Sequence, residues 1–130
     1  MKGEEKMIRL LVVDDEPEIC DFLKSFFEER DFEVQTALSG GEALKAVESF
    51  HPQIALLDIK MGDVDGLTVL KKVKEKHPKL KVIMVTALET TEKIEEAMRL
   101  GADNYITKPL SLEYLENDVR EKIANLAANS

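Results

Sequence analysis

The chain has 130 residues, 44% hydrophobic and 34% charged, which is enough for one domain with a buried core. Its net charge of −8 argues against direct nucleic-acid binding, which needs a positive footprint, and no apolar run approaches the roughly 18 residues of a membrane span. The single cysteine, Cys20, excludes an internal disulfide and suits a reducing, cytoplasmic compartment.

The opening MKGEEK is polar and lacks the apolar stretch of a secretory signal. Ile8-Arg9-Leu10-Leu11-Val12-Val13 predicts a first strand, closed by Asp14 and Asp15. A helix follows near 16–30, with Ile19, Phe22, Leu23, Phe26 and Phe27 at the 3.6-residue period and Cys20 among them as a buried thiol. Asp15-Glu16-Pro17-Glu18 has the form of a helix cap followed by an acid three residues on. A second strand near 33–37 leads into Ser39-Gly40-Gly41-Glu42, a capping box that opens a helix near 40–50.

The third strand, near 53–57, is closed by Asp58, and Asp65-Gly66 opens a helix near 66–76. His51-Pro52 and His77-Pro78 stop the second and third helices, because a residue before proline avoids the helical region. Both histidines are therefore read as helix-end residues without a catalytic role. The lysine-rich stretch from Lys71 to Lys81 falls at a helix C-terminus, where cations suit the dipole, and reads as a solvated face. A fourth strand near 81–85 ends in Thr86-Ala87, and Gly101 closes the helix near 90–100. A fifth strand near 103–106 leads to Thr107-Lys108-Pro109 and a last helix near 111–127.

Five alternations of strand and helix predict an α/β fold: a doubly wound, five-stranded parallel sheet with five helices. In such a sheet all strand ends point to one edge, where sites form. Asp14, Asp15, Asp58, Thr86 and Lys108 then meet in one cleft. Taken singly, Asp15 reads as a cap, Lys108 as a surface lysine and Tyr105 as a packing residue. Together they have a different meaning. Two like charges about 4 Å apart repel by roughly 4 kcal/mol at an effective dielectric of 20. Such a cluster raises its proton affinity or recruits a cation, and clustered carboxylates are oxygen ligands of the kind Mg²⁺ takes. Lys108 supplies positive charge, and Thr86 offers a hydroxyl to a phosphoryl oxygen.

The pieces Val12-Val13-Asp14-Asp15-Glu16-Pro17, Leu56-Leu57-Asp58-Ile59-Lys60-Met61, Asp65-Gly66, Val85-Thr86-Ala87, Gly101-Ala102-Asp103 and Tyr105-Ile106-Thr107-Lys108-Pro109 occur in that order. The whole chain thereby resembles the receiver domain of two-component response regulators. The resemblance implies a flavodoxin-like sheet of order 2-1-3-4-5 and a single receiver domain over 1–130, with its core about 7–127. It implies that Asp58 is the phosphoacceptor, and that Asp14, Asp15, Asp58 and the backbone carbonyl of Lys60 hold Mg²⁺, Asp14 largely through water. Lys108 then pairs with the phosphoryl group, and Thr86 and Tyr105 switch with it. The Lys108-Pro109 bond is expected to be cis.

The implied partners are a sensor histidine kinase or phosphotransfer protein, a downstream effector protein or an output domain outside this sequence, and a second copy on phosphorylation. Neither nucleic acid nor membrane is an expected direct partner. The implied role is phosphoacceptor, not enzyme, with at most self-phosphorylation and self-dephosphorylation. One departure is Gly62, where the family usually has proline, which loosens the loop carrying the metal-binding carbonyl. By the same resemblance, Lys60 and Leu88 occupy positions that are variable in the family and are expected to tune phosphorylation lifetime. Two rivals stand beside this reading: a receiver-like protein-binding module independent of phosphate, and an enzyme of similar architecture. The second lacks both the flavin-type phosphate loop and the paired acids of an aspartyl phosphatase.

Overall fold

The computed structural model describes residues 7–61, 64–87 and 91–128. Five parallel strands form the sheet: β1 (Ile8–Val13), β2 (Phe32–Ala37), β3 (Ile54–Asp58), β4 (Lys81–Thr86) and β5 (Asn104–Thr107). Their spatial order is 2-1-3-4-5, with every neighbouring pair parallel. Five helices connect and follow them: α1 (Pro17–Glu28), α2 (Gly40–Phe50), α3 (Gly66–Lys76), α4 (Thr91–Arg99) and α5, which is built from the consecutive segments Leu112–Tyr114, Leu115–Val119 and Arg120–Ala128. No described helix is long and apolar enough to cross a membrane.

Alternation along the strands divides the core into two layers. Leu11, Val13, Ala55, Leu57, Val82 and Met84 face α2, α3 and α4, where Val47, Leu70, Val73 and Ala97 meet them. Leu10, Val12, Ile54, Leu56, Ile83, Val85 and Ile106 face α1 and α5, against Leu23, Phe26, Phe27, Leu115, Val119 and Ile123. The central strands are apolar on both faces because both faces are covered. Burying each such Leu or Phe contributes about 1.5–3 kcal/mol.

Local chemistry sets the element ends. Gly101, at φ 109°, closes α4: Ala102 N–H donates to Ala97 O and Gly101 N–H to Met98 O, the paired bonds of a Schellman cap. His51 and His77 end α2 and α3 as expected, and His77 Nε2 lies 2.8 Å from Glu48 Oε2. Asp65 caps α3 through Leu67 N–H.

Four details depart from the sequence reading. α1 begins at Pro17 with Glu16 as its cap residue, and no side chain caps it. Asp15 is therefore not the cap; Asp14 Oδ1 instead accepts from Glu16 N–H at 2.9 Å. In the α2 box Ser39 accepts from Glu42 N–H, but Glu42 reaches back to Leu38 N–H, one residue further upstream than in the usual box. Lys60–Met61 and Val64–Asp65 form a small antiparallel ladder after β3. Finally, Leu115–Val119 is a π turn within α5. It lies between Tyr114, whose hydroxyl accepts from Thr107 N–H, and the half of the helix that buries Ile123.

Candidate functional site

Strand register builds the site. Val13 pairs with Leu57, Asp58 with Val85, and Thr86 with Thr107. The residues leaving β1, β3, β4 and β5 therefore emerge at one level of the sheet's C-terminal edge, with neighbouring strands about 4.8 Å apart. Asp14, Asp58 and Thr86 are the buried polar residues there, at 3%, 4% and 2% exposure. Asp15 and Glu16 are exposed beside them, and Lys108 enters from the end of β5.

Lys108 Nζ lies 3.0 Å from Asp58 Oδ2 and 3.5 Å from Asp14 Oδ2. The other oxygen of Asp58 accepts from Lys60 N–H at 3.1 Å. Burial pushes Asp58 up to about 6, against the opposing pull of Lys108 and of the Lys60 amide, while Asp14 adds repulsion. Burial works against charge on Lys108 too, but the Asp58 carboxylate, with Asp14 and Glu16 beyond it, prevails and raises its proton affinity. Asp58 is thus ionised in neutral solution but sparsely solvated.

Thr86 closes β4, with Oγ1 donating to Ala87 O at 3.1 Å, and its carbonyl accepts from Lys108 N–H at 2.8 Å. Tyr105, on the edge strand β5, is 41% exposed. The Lys108–Pro109 bond is cis, as the resemblance implied. Lys60 is exposed and near Asp58 through its amide. Gly62 and Leu88 lie outside the described residues. Cys20 is buried under the site, and burial, with the Asp14 charge behind it, pushes its thiol up to about 11, an inert state.

Two contributors were not legible as such. Glu16 joins Asp14 and Asp15 in a cluster whose carboxylate oxygens lie within 4.8 Å of one another. The acid run signalled this, but a capping role absorbed it. Gly66 is the other. A Cβ there would overlap the Asp58 carbonyl oxygen and stand 2.8 Å from Ile59 Cα, and Gly66 N–H donates to Ile59 O at 2.6 Å. The glycine lets α3 start against the backbone that carries Asp58.

The donor set is all carboxylate, which fits a hard divalent cation such as Mg²⁺. The tight cluster is Asp14, Asp15 and Glu16, whereas Asp58 stands across from it, bound to Lys108. An anionic oxygen arriving at Asp58 would meet Lys108 and the Thr86 end of β4.

The family model of the response regulator receiver domain matches residues 10–120. The transcriptional regulatory protein TrcR of Mycobacterium tuberculosis is 36% identical over 114 residues, covering 88% of this chain and 44% of its own length. The chain spans less than half the length of curated relatives such as this one. A response regulator receiver domain protein from Methanospirillum hungatei superposes with a TM-score of 0.85 at 34% identity, over 96% of this chain and 100% of that one. The response regulator TrrA from Thermotoga maritima, solved in complex with Mg²⁺-BeF, gives 0.80 at 35% identity, over 92% and 99%.

Proposed function

This chain belongs to the response regulator receiver family of two-component systems, and from that premise we propose that Asp58 accepts a phosphoryl group from a phosphohistidine of a partner kinase or phosphotransfer protein. A carboxylate oxygen of Asp58 attacks phosphorus in line, the P–N bond breaks, and an acyl phosphate forms while the histidine nitrogen leaves with its electron pair. The ionised, poorly hydrated state of Asp58 suits a nucleophile. Lys108 stays charged and follows the transferred oxygens, and Thr86 donates its hydroxyl to one of them. Catalysis here is positioning and electrostatics, with no covalent partner beyond Asp58.

Asp14, Asp15 and Asp58, with the Lys60 carbonyl, would hold Mg²⁺; Glu16 stands beside them. When bound, the ion neutralises charge on the phosphoryl oxygens and on the crowded acids. The acyl phosphate adds nearly two negative charges and biases Thr86, Tyr105 and the surface of α4, β5 and α5. That bias is a population shift, limited by the difference in affinity of the two states for the phosphate. The unit works in the cytoplasm as a signalling acceptor without turnover of its own beyond self-phosphorylation and self-dephosphorylation. An effector protein, an output domain or a second copy reads the altered face.

The observation that carries this reading is the buried Asp58 carboxylate held 3.0 Å from Lys108 at the edge where the other acids gather. Incubation with a small acyl phosphate and Mg²⁺ should add one phosphoryl group by intact mass, and Asp58→Ala should take none. Unlabelled wild-type protein, or an equally labelled variant, would defeat it.

A further inference from the structure

Asp65 is held by two elements at once. Its Oδ1 accepts from Leu67 N–H at 2.9 Å and caps α3. Its Oδ2 lies 3.4 Å from Nζ of Lys93, in the first turn of α4. The backbone around Asp65 is also locked to the Asp58 loop. Asp65 pairs with Lys60 in the short ladder, and Gly66 packs main chain to main chain on Asp58 and Ile59. A shift of the Asp58 backbone therefore reaches Asp65 with little slack, and Lys93 takes the other end of the contact.

α4 is lightly anchored. Among its described side chains only Ala97 is buried, with Leu100 just beyond it packed on the same apolar layer. An exposed ion pair is weak in absolute terms. Against so small a buried contact it is a sizeable part of what positions the helix.

We propose that the Asp65–Lys93 ion pair is a latch that ties the Asp58 loop to α4 and sets how readily Asp58 takes a phosphoryl group. The latch rests on the phosphoacceptor reading and concerns the regulation of that same site. Its rupture lets α4 move without dragging the loop, so the chain reaches the phosphorylated arrangement more easily.

Asp65→Ser keeps an oxygen to cap α3 and removes the charge, and Lys93→Gln removes the cation. Two readouts on the 130-residue chain decide. The first is amide hydrogen exchange over 92–99 without phosphate, and the second is the rate of Asp58 labelling by a small acyl phosphate with Mg²⁺. Each single variant should speed both by about 1.5- to 5-fold, the range of an exposed pair. The double variant should go no further than either single, because one interaction is lost in all three. In about 1 M salt the wild type should approach the variants. Unchanged exchange in α4, effects that add in the double variant, or faster exchange with wild-type labelling would each overturn the latch. A wild-type chain that takes no phosphate would fail the phosphoacceptor reading instead, and exchange in α4 would then decide the latch.

Discussion

Lys108 Nζ reaches Asp58 Oδ2 at 3.0 Å although β4 stands between their two strands in the sheet. The lysine side chain bridges one strand end to contact an acid fifty residues away in sequence. The contact does not fully compensate the burial of Asp58, whose proton affinity stays raised.

That imbalance sets a pH dependence. Burial pushes the Asp58 carboxyl up to about 6 in the folded chain, from an ordinary 3.8. Between those values the folded state binds more protons than the unfolded state, so stability from this group falls as pH rises through the window. Above it, the ionised Asp58 is a net cost. Asp58→Asn should therefore be more stable than wild type at pH 7.5, by about 1–3 kcal/mol. The gap should close towards pH 4. Denaturant melts at both pH values check this; a variant less stable at pH 7.5, or a gap that ignores pH, would contradict it.

Magnesium should act in the opposite sense. A ligand that binds only the folded state stabilises by about 2.7 kcal/mol at a hundred times its Kd. Wild-type Tm should rise with added Mg²⁺, and Asp15→Asn should lose most of that rise. The increment should shrink below about pH 6, where Asp58 gains a proton in competition with the ion. An Asp15→Asn chain that responds to Mg²⁺ as wild type does would remove Asp15 from the metal set.

The sheet and its edge were legible because their signals are local. Apolar runs such as Ile54–Leu57 and Val82–Val85 specify covered strands, and an acid directly after such a run has to emerge at the sheet's rim. Where the strand ends, the register of parallel pairing does the rest. What stayed hidden depends on distance through space. Whether Asp15 or Glu16 caps α1 turns on how Pro17 meets the first helical position and on Asp14 taking the Glu16 amide. The demand for glycine at 66 arises from the backbone of Asp58 and Ile59, against which the start of α3 folds back, and not from the turn alone. The bond from Thr107 N–H to the Tyr114 hydroxyl, just ahead of the π turn in α5, likewise has no local signal. Each of these relations spans eight residues or fewer, but it is set by how the chain folds back on itself, which hydrophobic period and cap residues do not encode.

Gly66 offers a direct test of how the acceptor is positioned. Gly66→Ala places a methyl group on the Asp58 carbonyl oxygen, and the neighbours it meets are backbone atoms that have no rotamer to change. Overpacking of this kind costs typically 1–3 kcal/mol. The variant should lose about that much stability and should label with phosphate more slowly than its stability alone explains, because the loop bearing Asp58 is what moves. Labelling at the wild-type rate in the folded fraction would show that the close approach has no part in positioning Asp58.

Asp103 provides the complementary case, a stability residue remote from the chemistry. Its Oδ2 accepts from Lys74 Nζ at 2.9 Å and from Val82 N–H at 2.8 Å, and Lys74 Nζ also donates to Leu80 O at 2.7 Å. Three elements, α3, the start of β4 and the turn before β5, thus meet on one carboxylate. The Lys74–Asp103 pair is largely sheltered, with side chains 14% and 22% exposed. Asp103→Ala removes the acceptor for a main-chain amide and strands a half-buried ammonium, each of which carries a desolvation penalty of about 1–3 kcal/mol. Lys74 retains the Leu80 carbonyl and some water, so the expected loss is about 2–3 kcal/mol, well above that of an exposed pair. The site lies at the other end of the strands. Asp58 labelling and the Mg²⁺ response of the folded protein should therefore match wild type at a temperature where the variant is folded. A loss of labelling in folded Asp103→Ala would mean that the α3–β4 junction transmits to the site and that Asp103 serves the chemistry as well as stability.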